Sequence, residues 1–175
     1  MRVIGEPKNE QGMLLGVDFL MDTCMNHDAI SLITLGPLTN VAEAILKAPE
    51  VKKRIPEILC MGGSAFVGNT KPTAEFNIYV DPEAAKIVFE SGIPIRMVGL
   101  NVTRQNRMTP DDVEILKKMG NPVADFAAQI LSFTAGMNGR TGLCDACAVS
   151  WLVDPDIITK SAMVPVDVDT QGELT

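Results

Sequence analysis

No run of lysines and arginines longer than the three residues Lys52-Lys53-Arg54 occurs in this sequence, and none of its apolar stretches reaches the roughly 18 uninterrupted residues that a membrane-spanning helix needs. With 22 acidic against 15 basic residues the net charge is −7, so most of the surface repels a phosphate backbone. Nucleic acid and anionic membranes are therefore not expected as partners. The opening MRVIGEPKNEQG has no apolar segment after its Arg, which is unlike a secretory leader, and a cytosolic protein is expected. Histidine occurs once, at His27 in a loop within MNHD, away from the CxxC. Of the four cysteines only Cys144 and Cys147 are close together. Cys24 and Cys60 sit in apolar segments, where a thiol acts as a small hydrophobe. A disulfide framework is not expected, and a four-thiolate zinc site lacks its second pair. Aromatic residues are few, with Trp151 the only Trp and Tyr79 the only Tyr. Trp151 falls at the apolar spacing of its helix and reads as core.

What is present is 46% apolar residues with 21% charged, in a length of 175 that suits one globular domain over residues 1–175. The spacing predicts a helix over 12–25 with a narrow polar face at Asp18 and Asp22. A buried strand follows over 29–36, stopped by Gly36-Pro37. In LTNVAEAILKAP, Thr39 or Asn40 offers an N-cap, with Glu43 three residues after Asn40 and Pro49 as the stop. A second buried strand is expected over 56–63, then an irregular stretch over 64–80 that holds too much Gly, Pro and Asn for an element interior. A helix capped by Asp81 and opened by Pro82 ends before Gly92, and a third strand follows over 93–101. Two helices follow, the first capped by Thr109, then a third opening at the CxxC. The final SAMVPVDVDT reads as a strand. Strands alternating with helices of about ten residues imply a parallel sheet with helices on both faces.

In open sheets of this kind ligands bind beyond the carboxyl ends of the strands. Three stretches meet there: LGPLTN, MGGSAFVGN and GLNVT. The long loop after the second strand is the foremost candidate and holds Asn69, Glu75 and Asn77. Amides and a carboxylate suit the vicinal hydroxyls of a sugar, although such groups also serve to satisfy a loop's own backbone.

LGPLTNVA, MGG, GN at 68–69, AEFNIYVDPEAA and CDACAVSWLVDP, in that order and at these separations, resemble the inosine-uridine-preferring nucleoside hydrolase family, from about Gly12 to the last residue. The resemblance implies a Rossmann-like α/β fold and a Ca2+-dependent hydrolysis of the N-glycosidic bond of ribonucleosides, the role of a salvage enzyme. It implies that Asn69, Glu75 and Asn77 hydrogen-bond ribose hydroxyls, that Met61 lies against the sugar, and that Phe76 lies near the base. It further implies that Leu35 gives calcium its backbone carbonyl and that Asp145 coordinates the metal. Cys144 stands where many members have a His suited to protonate the leaving base, so it is either that acid or a residue that orients the site.

The sequence also departs from the family. The aspartate-rich DxDPGxDD motif on the family's first strand is absent, and neither PDD at 110–112 nor DVDT at 167–170 matches it. Family members continue past GELT, so the chain resembles the central part of such an enzyme with an incomplete sheet. As a fragment it is expected to have little or no hydrolase activity alone. The alternative is a catalytically inactive homologue that binds ribose or a nucleoside, or acts as a regulator. A thiol oxidoreductase based on the CxxC is disfavoured, because that chemistry wants a helix N-terminus directly after a strand, and here NGRTGL and two helices precede it. Relatives are often homo-oligomers, and the preferred base is not legible in the sequence.

Overall fold

The computed structural model describes residues 16–172 apart from residue 29. The sequence reading of residues 1–12 and the first four residues of the predicted helix at 12–25 lie outside the described residues. Helix α1 spans Gly16–Asn26, and strand β1, Leu32–Thr34, is shorter than the expected 29–36. Helix α2 covers Thr39–Lys47 and β2 covers Ile58–Met61. A short α3 at Phe76–Val80 runs into α4 at Pro82–Phe89, followed by β3 at Ile95–Val98. The three strands form a parallel sheet in the order β1-β2-β3, with Ile33 opposite Leu59 and Leu59 opposite Arg96.

The period-2 alternation of a strand explains how β2 serves two cores at once. Ile58 and Cys60 point into a cluster with Val41, Ile45, Ala85 and Val88 of α2 and α4. Leu59 and Met61 point into a second cluster with Val98, Leu100, Cys147 and Ala148. All four β2 residues are buried, as a central strand between two helical layers requires. The fold is thus α/β with helices on both faces of a parallel sheet, as the strand and helix alternation predicted.

Beyond β3 come α5 (Leu100–Thr103), β4 (Arg107–Met108), α6 (Pro110–Lys118), α7 (Pro122–Asn138), β5 (Thr141–Gly142) and α8 (Cys144–Val153). Thr109 caps α6 and Asp81 caps α4 through Ala84 N, as the sequence implied; the Thr109 cap is a full capping box with Asp112, and Gly92 past the end of α4 has φ +84°. Helix α8 lays Cys147 and Ala148 on the second cluster, with Trp151 packed against it. The Arg96 guanidinium lies 5.4 Å from the centre of the Trp151 ring.

Four expectations fail for physical reasons. First, α2 has no side-chain cap: its N-cap is Leu38, and the Thr39 hydroxyl instead donates to Asp81 Oδ2 at 2.5 Å, tying α2 to α4. Second, the stretch expected to stay irregular ends in α3, because Glu75 caps it by accepting from Asn77 N and Ile78 N. Third, the predicted strand over 93–101 stops at Val98, because Gly99 brings the backbone against Gly63. A Cβ at Gly99 would lie 2.8 Å from the Gly63 oxygen, and Leu100 N donates to that oxygen at 3.0 Å, opening α5 instead. Fourth, SAMVPVDVDT forms no strand. It is held to a helix rather than to a sheet edge: Lys86 Nζ of α4 reaches Val168 O at 3.4 Å and Asp167 at 3.6 Å.

Candidate functional site

The loop after β2 begins where the sheet ends. Glu75 sits at its far end, 3% exposed, and its Oε2 accepts Asn77 N at 2.9 Å, Gly63 N at 3.1 Å and Ile78 N at 3.4 Å. A carboxylate at a helix N-cap that also receives a loop amide is held by charge-assisted bonds, which are stronger than neutral ones. Asn77, in the first turn of α3, is 9% exposed and donates through Nδ2 to the Met61 carbonyl at 3.1 Å and to Met61 Sδ at 3.3 Å. Asn77 therefore locks α3 onto the last residue of β2. Asn69 is exposed, and its Oδ1 accepts Phe76 N at 2.9 Å and the Thr70 hydroxyl at 3.2 Å. Phe76 is 53% exposed.

The structure thus brings Met61, Asn69, Glu75, Phe76 and Asn77 together through direct hydrogen bonds. One polar atom of each of the Glu75, Asn69 and Asn77 side chains is spent on the protein's own backbone. The second cluster connects this group to α8, since Met61 is a member of it and Cys144 packs against it. Leu35 lies one residue beyond β1 and is 40% exposed, while Asp145 is exposed in the first turn of α8. A cavity of about 320 Å³ opens beside the loop, lined in part by Gly63, Ala74, Ile78, Met97 and Val168. None of the eight residues expected at the site lines it.

Among the described residues there is no group of three or more His, Cys, Asp or Glu side chains able to hold a metal ion. Calcium takes six to eight oxygen ligands, so the Leu35 carbonyl and the Asp145 carboxylate do not by themselves make a calcium site.

The CxxC opens a helix, as the sequence reading placed it, but a short strand that the reading did not expect comes just before. Cys144 is the first residue of α8 and follows β5 after one intervening residue, so the motif does open a helix just after a strand, although that strand pairs antiparallel with β4 outside the main sheet. Cys147 is buried, and Asn106 Nδ2 donates to its Sγ at 3.1 Å. Burial pushes the Cys147 thiol up from its ordinary range, and the nearby Cys144 adds to the shift, against the lowering effect of Asn106.

Two residues have structural roles that the sequence did not reveal. Gly68 makes the tight turn before Asn69: a Cβ there would fall 2.1 Å from Lys71 O and 2.3 Å from Ala74 O. Arg104 donates to Val67 O at 2.8 Å and Gly68 O at 2.6 Å from across the site. The only signal was a basic residue shortly after the third strand, and its partners lie 36 and 37 positions away.

This arrangement, a parallel α/β sheet with a carboxylate and two amides gathered on a loop at its carboxyl end, defines the class of protein to which the comparisons attach a family. The pattern described as inosine-uridine preferring nucleoside hydrolase matches residues 3–175, and the chain belongs to that family. It is 43% identical over 156 residues to the pyrimidine-specific ribonucleoside hydrolase RihA of Photobacterium profundum, covering 85% of this chain and 50% of that protein. RihA of Klebsiella pneumoniae is 40% identical over 158 residues, with 86% and 50% covered. Among solved structures, the purine-preferring ribonucleoside hydrolase from Gardnerella vaginalis superposes with a TM-score of 0.77 at 33% identity, over 98% of this chain and 55% of that one. An inosine-guanosine nucleoside hydrolase gives a TM-score of 0.82 at 26% identity, over 91% and 53%. The chain therefore spans about half the length of the relatives it matches.

Proposed function

We propose that this chain carries the ribose-binding part of a nucleoside N-ribohydrolase, an enzyme that splits the bond between ribose and a nucleobase. The observation that supports it best is the joining of buried Glu75 and Asn77 with exposed Asn69 on one loop at the carboxyl end of β2. Each side chain has one polar atom fixed by backbone, with Glu75 Oε1, Asn69 Nδ2 and Asn77 Oδ1 assigned to ribose hydroxyls. Hydrolysis of a glycosidic bond passes through a transition state like an oxocarbenium ion. A buried anion beside the sugar stabilises that charge as it develops, and its fixed N–H partners mean that it need not reorganise. Met61 gives the sugar an apolar floor, Phe76 lies toward the base, and Cys144 acts as proton donor to the leaving base or as a residue that orients the site. Calcium belongs to this reading as an expectation of the family resemblance, with Leu35 and Asp145 as this chain's contribution. A cytoplasmic role in nucleoside salvage goes with it.

Calorimetric titration with uridine, inosine and their 2′-deoxy analogues tests the reading. Ribonucleosides should bind, and loss of the 2′-hydroxyl should weaken binding about tenfold, since buried polar groups lose a partner. Equal affinity for both sugars, or no binding of either, would refute it.

The absence of a three-ligand cluster among the described residues favours a second reading, a homologue that binds the nucleoside without hydrolysing it. Uridine affinity that is indifferent to added calcium, with no ribose released, would select that reading.

A further inference from the structure

The loop between β2 and α3 is fastened at its root and at its apex by one short helix. At the root, Gly63 N donates to Glu75 Oε2 while Gly63 O accepts Leu100 N at 3.0 Å, so the first residue of α5 holds the start of the loop. At the apex, Arg104 at the C-terminal end of α5 donates Nη1 to Val67 O at 2.8 Å and Nη2 to Gly68 O at 2.6 Å. A planar guanidinium fork fits two carbonyls on consecutive residues, whereas the ammonium of a lysine is a point charge without that geometry.

The apex is a crowded turn. Gly68 N donates to Pro72 O at 2.8 Å, and Asn69 N and Thr70 N both turn to Ala74 O, at 3.0 and 3.2 Å. There is no room for a side chain at Gly68, whose Cβ would meet Lys71 O and Ala74 O well inside contact distance. The inward side of the turn is thus bonded to the loop itself, while the Gly68 carbonyl is taken by Arg104 and the Val67 carbonyl is shared by Arg104 and the Ser64 hydroxyl at 2.9 Å. Asn69 follows directly, so the direction of its side chain is set by the turn that Arg104 holds.

We propose that Arg104 is a positioning residue for this loop: by clamping Val67 and Gly68 it aims Asn69 at the same ligand as Glu75 and Asn77. The identity of that ligand as a ribonucleoside rests on the reading given above. Arg104 itself does not touch the sugar.

The test uses the full 175-residue chain with two readouts. In Arg104→Ala, amide hydrogen exchange at Gly68, Asn69 and Thr70 should quicken about tenfold, and uridine affinity should fall about tenfold, the scale of a lost charge-assisted hydrogen bond. Amides of Leu59 and Cys60 in β2 should exchange as before, which separates a local effect from unfolding. Arg104→Lys should fall between, and millimolar guanidinium ion should restore both readouts in Arg104→Ala. Unchanged exchange in the loop overturns the inference, and so does faster exchange with undiminished uridine affinity. If the wild-type chain does not bind uridine, the ribonucleoside reading falls and the role of Arg104 toward it falls as well, while the exchange readout separately decides whether the clamp exists.

Discussion

The Glu75 carboxylate accepts the Gly63 amide at 3.1 Å across 12 positions, and so closes the loop that carries the candidate site. The same oxygen caps α3 through Asn77 N and Ile78 N. Glu75→Ala leaves these donors without their acceptor in a buried place, and the protein should lose about 2–4 kcal/mol in urea denaturation. Glu75→Gln keeps a carbonyl oxygen for the same amides and should lose less than half of that. Equal losses would mean that the negative charge, and not merely an acceptor oxygen, is needed to hold these amides. Both variants should bind ribonucleosides poorly, because each removes the anion.

The bond between Thr39 and Asp81 makes a second junction, from α2 to the start of α4. Asp81→Ala removes the cap of α4 together with the acceptor for Thr39, and should cost about 1–3 kcal/mol. Thr39→Val removes only the cross-link and should cost about 1 kcal/mol. The double variant should be no worse than Asp81→Ala by more than a few tenths of a kcal/mol, since the two changes share one interaction. Strict additivity in a denaturation cycle would contradict the junction.

Asp112 gives a pH signature. Its carboxylate accepts Thr109 N at 2.8 Å and the Thr109 hydroxyl at 2.7 Å, and these bonds, the backbone one first, hold its pKa below the ordinary 3.8. A lowered folded-state value means that the contribution to α6 is fully present above the ordinary value and is lost as pH falls through the lowered one. In Thr109→Ala the carboxyl resonance of Asp112, followed by NMR, should titrate at higher pH than in the wild type. An identical midpoint would refute the assignment.

The four cysteines should separate by reactivity. Cys24, Cys60 and Cys147 are buried, and burial pushes each of these thiols up, whereas Cys144 is partly exposed. Iodoacetamide at neutral pH should label Cys144 first in the folded chain and all four in urea. Early labelling of Cys60 would contradict the packing of β2.

Much of the scaffold was legible because its signals are local. Asp81-Pro82 and Thr109-Pro110 mark helix starts through a side-chain acceptor within three residues and a ring that fixes φ. The apolar run ILCM reads as a central strand because both of its faces are buried. Asn69, Glu75 and Asn77 were recognisable as a polar group on a long loop, and their order around AEFN carried the family resemblance. What could not be read is which atoms these side chains spend on the protein. A carboxylate and two amides look equally suited to a sugar and to a backbone, and only their distances to Gly63, Phe76 and Met61 divide the two uses.

The sequence by itself determined the alternation of strands and helices and the residues gathered at the carboxyl end of the sheet, because hydrophobic period and capping act over a few positions. The tertiary structure alone decided that Thr39 serves α4 rather than its own helix, that SAMVPVDVDT lies against Lys86 instead of joining a sheet, and that Arg104 reaches the loop before Asn69. Each depends on a partner dozens of positions away, and which distant groups meet is fixed only when the helices and the sheet pack.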